Sequence, residues 1–442
     1  MNTQKISRLL LLGVMAATVA QATYGQSHAV MPGPAATGTM RSHAWMLDAP
    51  NPSNAPNAAS CLSGCFYLPL QLASIYAVSS ITNANGGSGM TVGIVDAYYD
   101  SQTLANCNTA ASAWGLPTCT GLLTIVNQAG GDPTSTTSCS GSAVGSNQGW
   151  AQETNLDVQA VHAMAPKAQI LLVATCSNSD TDLGAGDIYA QAHANVVTNS
   201  FGGNEFVGEA TVDATFGLTT ATVPVLFSSG DTGALTEYPC VSARGICVGG
   251  TSLTSIINGA GNYFRLYEQA WGLNSLSNNA PPEGAGGGCS SQIAMPAFQT
   301  ANLTGVCGGT NRAVPDVSAL ADPQTGFAVF LGTFAGPSGA GGYVFGGTSL
   351  ASPLTAGVIA LIDAHRVANS QALLGTSATV NAALYALYHS SRYHYDFYDV
   401  TLGSTCSAAS CSGGNVFPAA AGWDKATGIG VILGPALSLG LP

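Results

Sequence analysis

Short apolar runs alternate with longer amphipathic stretches through the middle of the chain. Thr91 to Val95, Leu122 to Val126, Gln169 to Val173, Val196 to Asn199 and Val223 to Phe227 have the length and apolar density of buried strands. Between them, Trp150 to Met164, Asp182 to Ala194 and Glu209 to Thr220 read as helices, the last with Val212 and Phe216 on one face. This alternation predicts an α/β fold, a doubly wound and mostly parallel sheet flanked by helices in a single large domain. Sheets of that kind carry their sites at the carboxyl ends of the strands, so residues just past a strand hold most functional weight. Asn278 to Thr310, rich in Gly, Pro and Ser, reads as long surface loops, and a further apolar helix runs from about Ser349 to His365.

The beginning of the chain has a different character. Lys5 and Arg8 precede an apolar run from Leu9 to Val19, and Ala20-Gln21-Ala22 follows with small residues. That layout is expected of a secretory signal peptide over residues 1–22, and it is too short for a membrane span. Residues 23–60, rich in Ala, Pro, Ser and Asn, read as a flexible arm draped over the surface, and residues 61–442 as the folded domain. The expected location is therefore extracellular or periplasmic. Twelve cysteines agree with an oxidising compartment. They fall into sequential pairs, Cys61/Cys65, Cys107/Cys119, Cys139/Cys176, Cys240/Cys247, Cys289/Cys307 and Cys406/Cys411.

Charge narrows the partners. Asp and Glu number 22 against 10 Lys and Arg, with no basic run, which argues against nucleic acid and against an anionic membrane surface. Charged residues make up only 7% of the chain, where about 25% is usual. A chain with few ion pairs has less to lose when carboxylates take up protons, so the composition is compatible with an acidic setting.

The strongest local signal is Gly346-Gly347-Thr348-Ser349-Leu350-Ala351-Ser352-Pro353, running into an apolar helix. A serine there meets orphan N–H groups and the positive helix end, which favour developing negative charge. The plainer reading is a helix cap. A nucleophilic serine needs a base, and none of the 7 histidines stands in a sequence context suited to that task. Glu153-Thr154-Asn155-Leu156-Asp157 offers one instead: two carboxylates four apart share a helix face. Held that close, one of them keeps a proton more tightly, so the pair serves as base and proton reservoir in acid. Two solvated acids in a first helical turn are the alternative.

Taken together, Glu153-x-x-x-Asp157 and Gly347-Thr348-Ser349-x-x-x-Pro353 resemble the sedolisin family of serine-carboxyl peptidases, which has a subtilisin-like fold. The likeness extends from about Pro69 to the C-terminus and includes Asn199-Ser200-Phe201-Gly202-Gly203 and Ser228-Ser229-Gly230-Asp231-Thr232-Gly233. The resemblance implies Ser349 as nucleophile, Glu153 as its general base, Asp157 as the residue orienting Glu153, and Asp231 in the oxyanion hole. Asp231 can donate to an oxyanion only when protonated, so the residue type itself implies work in acid. Asp96 occupies a place where family members can carry an acid behind the glutamate, and Phe201 stands where some have tryptophan. The family also implies one structural calcium ion, held by the carboxylates of Asp399 and Asp424 and the carbonyls of Val400, Ala420 and Gly422. Ala420 departs from the glycine usual there.

The resemblance thus implies a secreted, acid-active peptidase that hydrolyses peptide bonds through an acyl-enzyme on Ser349, a monomer acting on protein or peptide substrates. Many family members carry a sizeable folded pro-segment. The stretch between the signal and the catalytic region is too short for one here, which leaves room for a separate pro-domain or inhibitor chain. The competing expectation, from another class, is a secreted non-catalytic binding protein on a degenerate peptidase fold.

Overall fold

The computed structural model describes residues 27–30, 36–47, 60–61, 65–135, 139, 147–257, 263–272, 283–406 and 416–434. Its centre is a sheet whose strands are β1 (Thr91–Ala97), β2 (Leu123–Val126), β3 (Gln169–Thr175), β4 (Val196–Asn199), β5 (Val225–Ser228), β6 (Ile246–Ile257) and β7 (Val317–Leu320). Their order is β2-β3-β1-β4-β5-β6-β7 and the pairings among these strands are parallel, while further strands of the same sheet, such as Tyr263–Ala270 on β6, pair antiparallel. The main helices are α1 (Thr103–Trp114), α2 (Gln148–Met164), α3 (Asp180–His193), α4 (Thr348–Ala368) and α5 (Ser377–Tyr388).

Strand alternation sorts the core into two layers. Along β3, Ile170 and Leu172 join the cluster that includes Leu156 and Val161 of α2 and Leu354 and Val358 of α4. Leu171 and Val173 point the other way, to Leu183 and Ala190 of α3 and to Phe216. In β1, a side chain on Gly93 would press on Ala190 and Ala194, so its absence lets α3 lie close to the sheet. Helices on both faces make the sheet doubly wound, and the expected α/β class is the observed one.

The strands at Val196–Asn199 and the helix ending at Met164 lie where the hydrophobic pattern puts them. Three expectations are corrected. Glu209 to Thr220 is not an amphipathic helix but a 3₁₀ segment, Glu209–Ala214, entered through Gly208 at φ 92 and followed by Gly217 at φ 66. β-branched Thr211, Val212 and Thr215 and the two left-handed glycines work against a longer α-helix. Within Asn278 to Thr310, residues 278–282 lie outside the described set, but 283–288 is interior rather than surface. A methyl group on Gly284 or Gly286 would lie 2.0 Å from the Thr405 carbonyl oxygen or 2.1 Å from that of Ser229. The glycines there permit close backbone packing.

The third correction concerns the arm. Residues 40–47 do not drape over the surface; they are buried in the molecule. Arg41–Ser42 pairs antiparallel with the strand Phe201–Asn204, and Trp45–Leu47 pairs antiparallel with the strand Gly341–Gly346. Four of the expected disulfides are present, Cys107–Cys119, Cys139–Cys176, Cys240–Cys247 and Cys289–Cys307. Cys411 lies outside the described residues, and at Cys61 and Cys65 only the backbone is described, so the pairings Cys61/Cys65 and Cys406/Cys411 are not assigned. Among the described residues, no helix is long and apolar enough to cross a membrane.

Candidate active site

The carboxyl ends of β1, β4 and β5 converge with the start of α4. Helix α4 begins at Thr348, with Gly347 before it at φ 94, a conformation open to glycine. Ser349 is thus in the first turn and Pro353 in the second. The spacing has a local reason. Pro353 has no N–H to give to the carbonyl four residues back, which is that of Ser349. The Ser200 hydroxyl, at the end of β4, lies 3.2 Å from that carbonyl instead.

Ser349 Oγ donates to Glu153 Oε2 at 2.9 Å. Ser200 Oγ lies 2.9 Å from Asp157 Oδ1, one turn further along α2. Both acids sit in the buried middle of that helix, so they are not solvated first-turn residues. Glu153 Oε1 and Asp157 Oδ2 have no other partner, and one proton carried between them satisfies both. Burial raises Glu153 well above the usual carboxylate range, and the charge of Asp96 adds to it. Asp157 is raised by burial, then by Asp96 and Glu153. Asp96 itself, at the end of β1, is pushed up to about 7 by burial, with the Thr154 hydroxyl pulling the other way. Three buried carboxyls side by side cannot all ionise, so this cluster stores protons.

Asp231 follows β5. Its Oδ1 accepts from the Thr348 amide and the Thr348 hydroxyl, each at 2.7 Å. Its Oδ2 is buried and unpartnered. A methyl group on Gly347 would lie 2.7 Å from that free oxygen, which places it beside the first turn of α4. Burial raises Asp231 well above the usual range against the pull of Thr348 and Arg41, and Glu237 adds to the rise. A protonated Oδ2 is then a donor aimed next to Ser349. The turn is pinned by the glycine run: the Gly286 amide donates to the Gly230 carbonyl at 2.7 Å and Gly284 to that of Asp231 at 3.2 Å.

All four residues expected to act together are therefore brought together. No histidine among the described residues is a hydrogen-bond partner of Ser349 Oγ. His162 is buried in α2 against the Pro117 carbonyl. His43 is close but otherwise engaged: Nδ1 lies 2.7 Å from Ser228 Oγ and Nε2 2.9 Å from Glu237 Oε2.

The arm crosses this site. The His43 amide donates to the Ser200 carbonyl at 3.3 Å, and the His43 carbonyl accepts from the Ser349 amide at 3.4 Å. The same carbonyl oxygen would lie 2.0 Å from a methyl group on Gly347, so glycine is required for the approach. Ser349 is fully covered as a result. Ser200, Ser228, Glu237 and the glycines at 284–288 had no assigned part in the sequence reading. A lone Glu237 carries no local pattern, whereas Ser200 and Ser228 lie in strings that carry the family resemblance.

Away from this cleft, Gly422 N donates to both oxygens of Asp399 at 3.1 Å, and Ala420 N to Asp424 Oδ2 at 2.8 Å. Asp424 Oδ1 accepts from the amides of Ala426 and Thr427. Asp399, Ala420, Gly422 and Asp424 thus share one loop cluster, with Val400 next to Asp399. Neither carboxylate forms an ion pair among the described residues. The described residues contain no cluster of three or more His, Cys, Asp or Glu side chains suited to a metal. A cation here would lean on carbonyl oxygens beside two carboxylates, a donor set of the kind calcium takes.

The chain is similar to known peptidases in both sequence and fold. Residues 132–397, more than half of the chain, match the sequence model of the subtilase family, peptidase S8. Kumamolisin of Bacillus sp. strain MN-32 is 29% identical over 311 residues, covering 64% of this chain and 49% of that protein. Tripeptidyl-peptidase sed1 of Aspergillus fumigatus is 35% identical over 133 residues, 30% of this chain and 17% of that one. The chain spans about half the length, or less, of these curated relatives. Pseudomonas sedolisin, a serine-carboxyl proteinase solved in complex with two molecules of pseudo-iodotyrostatin, superposes with a TM-score of 0.66 at 27% identity, over 85% of this chain and 98% of that one. A lanthipeptide protease, at 13% identity and a TM-score of 0.51, shares the fold. On the match to residues 132–397 and the likeness to sedolisin and kumamolisin, the chain belongs to the subtilase family, in its sedolisin branch.

Proposed function

We propose that the protein is a secreted, acid-active serine-carboxyl peptidase that cleaves protein or peptide substrates through an acyl-enzyme on Ser349. The observation that carries this reading is the 2.9 Å hydrogen bond from Ser349 Oγ to a buried Glu153, with no histidine in its place. Glu153 takes the hydroxyl proton as the oxygen attacks the peptide carbonyl, and passes it to the leaving amine. Asp157, bonded to Glu153, holds the reserve proton and fixes the orientation of the base. The oxyanion forms between the Ser349 amide and protonated Asp231, which costs no reorganisation because both donors are already in place. Water then takes the place of the amine, and Glu153 activates it in the same way. The intact catalytic set favours this reading over a non-catalytic binding protein.

The test is cleavage of a denatured protein by the full chain from acid to neutral pH. Cleavage confined to acid is expected; a folded protein silent at every pH would overturn the proposal.

We also propose one structural calcium ion held by Asp399, Asp424 and the carbonyls of Val400, Ala420 and Gly422. When bound, it supplies positive charge that ties the loops together and takes no part in the reaction. The buried carboxyls add a pH dependence of stability. Asp96 and Asp187, each raised to about 7 by burial, hold protons in the folded state that the unfolded chain releases near its ordinary carboxylate range. Their contribution is fully present below about pH 4 and lost as pH rises through about 7. Thermal melts read both effects. Chelation is expected to lower Tm by roughly 3–5 °C, and raising the pH from 4 to 8 to lower it as well. An unchanged Tm on chelation counts against the ion, and a Tm that rises over that pH interval counts against protonated buried carboxyls.

A further inference from the structure

The arm is an extended peptide seated on the nucleophile, and its side chains mark what the cleft recognises. We infer that the cleft selects histidine immediately before the bond to be cut and arginine two residues earlier, and that Glu237 is the residue that determines this preference. The inference rests on the peptidase reading above and deepens it.

The backbone sets the register. Arg41 and Ser42 lie antiparallel to Gly202 and Phe201, His43 continues the ladder to the Ser200 carbonyl, and the His43 carbonyl meets the Ser349 amide. The bond presented to Ser349 is therefore His43–Ala44. In an extended segment alternate side chains share a face, so Arg41 and His43 point together and Ser42 away. Both reach the same acid: Arg41 Nη2 lies 2.6 Å from Glu237 Oε1, and His43 Nε2 2.9 Å from Glu237 Oε2. Ser228 Oγ completes the imidazole's hydrogen bonds at Nδ1, 2.7 Å away. With Nε2–H donating to the carboxylate and Nδ1 accepting from the hydroxyl, the ring is satisfied without needing a charge.

Glu237 is almost wholly buried. Apart from the arm, its side chain has the Thr232 hydroxyl at 3.4 Å among the described residues. A buried carboxylate stripped of both partners is costly, so the pocket favours peptides that restore them. A peptide with leucine in the histidine position leaves one carboxylate oxygen and the Ser228 hydroxyl unpaired. Discrimination by unpaired buried polar groups is stronger than discrimination by apolar fit.

The test uses the full chain, incubated in acid until its activity on denatured casein is constant, and two fluorogenic peptides. One carries the sequence of residues 39–46; the other has leucine in place of the histidine. The expected ratio of kcat/KM is about 10- to 100-fold in favour of histidine, with the cut directly after it by mass spectrometry. Glu237→Gln is expected to collapse the ratio toward unity, and Glu237→Asp to restore part of it. A melting curve for each variant shows that it is folded. Equal cleavage of the two peptides by an enzyme that digests casein overturns this inference alone, as does a ratio unmoved in Glu237→Gln. Failure to cut casein or either peptide overturns the peptidase reading and this inference with it. The wild-type ratio decides the matter if Glu237→Gln does not fold.

Discussion

Ser349→Ala is expected to reduce peptide hydrolysis by on the order of 10⁶-fold, with Glu153→Gln close behind, as for groups that act as one unit. The double variant should be no worse than Ser349→Ala alone, because each change disables the same step. Removing the hydroxyl takes away one hydrogen bond to Glu153 but no packing volume of consequence. A helix of more than twenty residues, buried on nearly every side, remains to hold the site. The variant should therefore fold with a melting temperature near that of the parent. Initial rates on denatured protein, beside a melting curve, check both halves of the statement. Full activity in a folded Ser349→Ala protein would end the assignment of the nucleophile.

The second large effect concerns Asp231. Asp231→Ala removes a donor to the oxyanion and is expected to lower kcat by about 10²–10³-fold. Asp231→Asn is the more informative change. The Thr348 amide and hydroxyl donate to Oδ1, which would hold an asparagine with its carbonyl toward Thr348 and its NH₂ where Oδ2 now lies. That variant keeps a donor which no longer titrates. The sign follows from the raised carboxyl of Asp231. Below its folded-state pKa it carries a proton and donates. As pH rises through that value it becomes a carboxylate and repels the oxyanion, so activity falls. In Asp231→Asn this limb should move to higher pH while the acid limb, set by ionising the Glu153–Asp157 pair, stays where it was. Identical pH profiles for the two proteins would show that the Asp231 proton does not govern the alkaline limit.

Much of this site could be read from local strings. The glycines before Ser349 and the proline four residues after it are consequences of backbone geometry: a left-handed Gly347 and a carbonyl left free for Ser200. Glu153 and Asp157 were legible because helical spacing alone puts them on one face. The inner strands were legible because each is buried on both sides and so largely apolar, whereas the edge strand β2 is only part-buried. The misreadings have a common cause. Gly284 to Gly288 looks like a loop because glycine is permissive, yet its lack of side chains equally serves an interior where carbonyls approach within about 2 Å of a would-be methyl group. Residues 40–47 sit inside a stretch rich in Ala, Pro, Ser and Asn, and nothing local announces that Arg41 and His43 meet Glu237. Contacts between residues some two hundred positions apart leave no mark on either neighbourhood.

The course of the arm also bears on the order in which the molecule assembles. Arg41–Ser42 needs the strand Phe201–Asn204, and Trp45–Leu47 needs the strand Gly341–Gly346. Neither surface exists until its own part of the chain has folded, and the two must already stand on either side of Ser349 before one short segment can join both. Residues made before the sheet are thus among the last to dock, closing loops of high contact order late in folding. Until then the nucleophile and its acids are uncovered, so closure of the cleft is a kinetic event separable from formation of the central sheet.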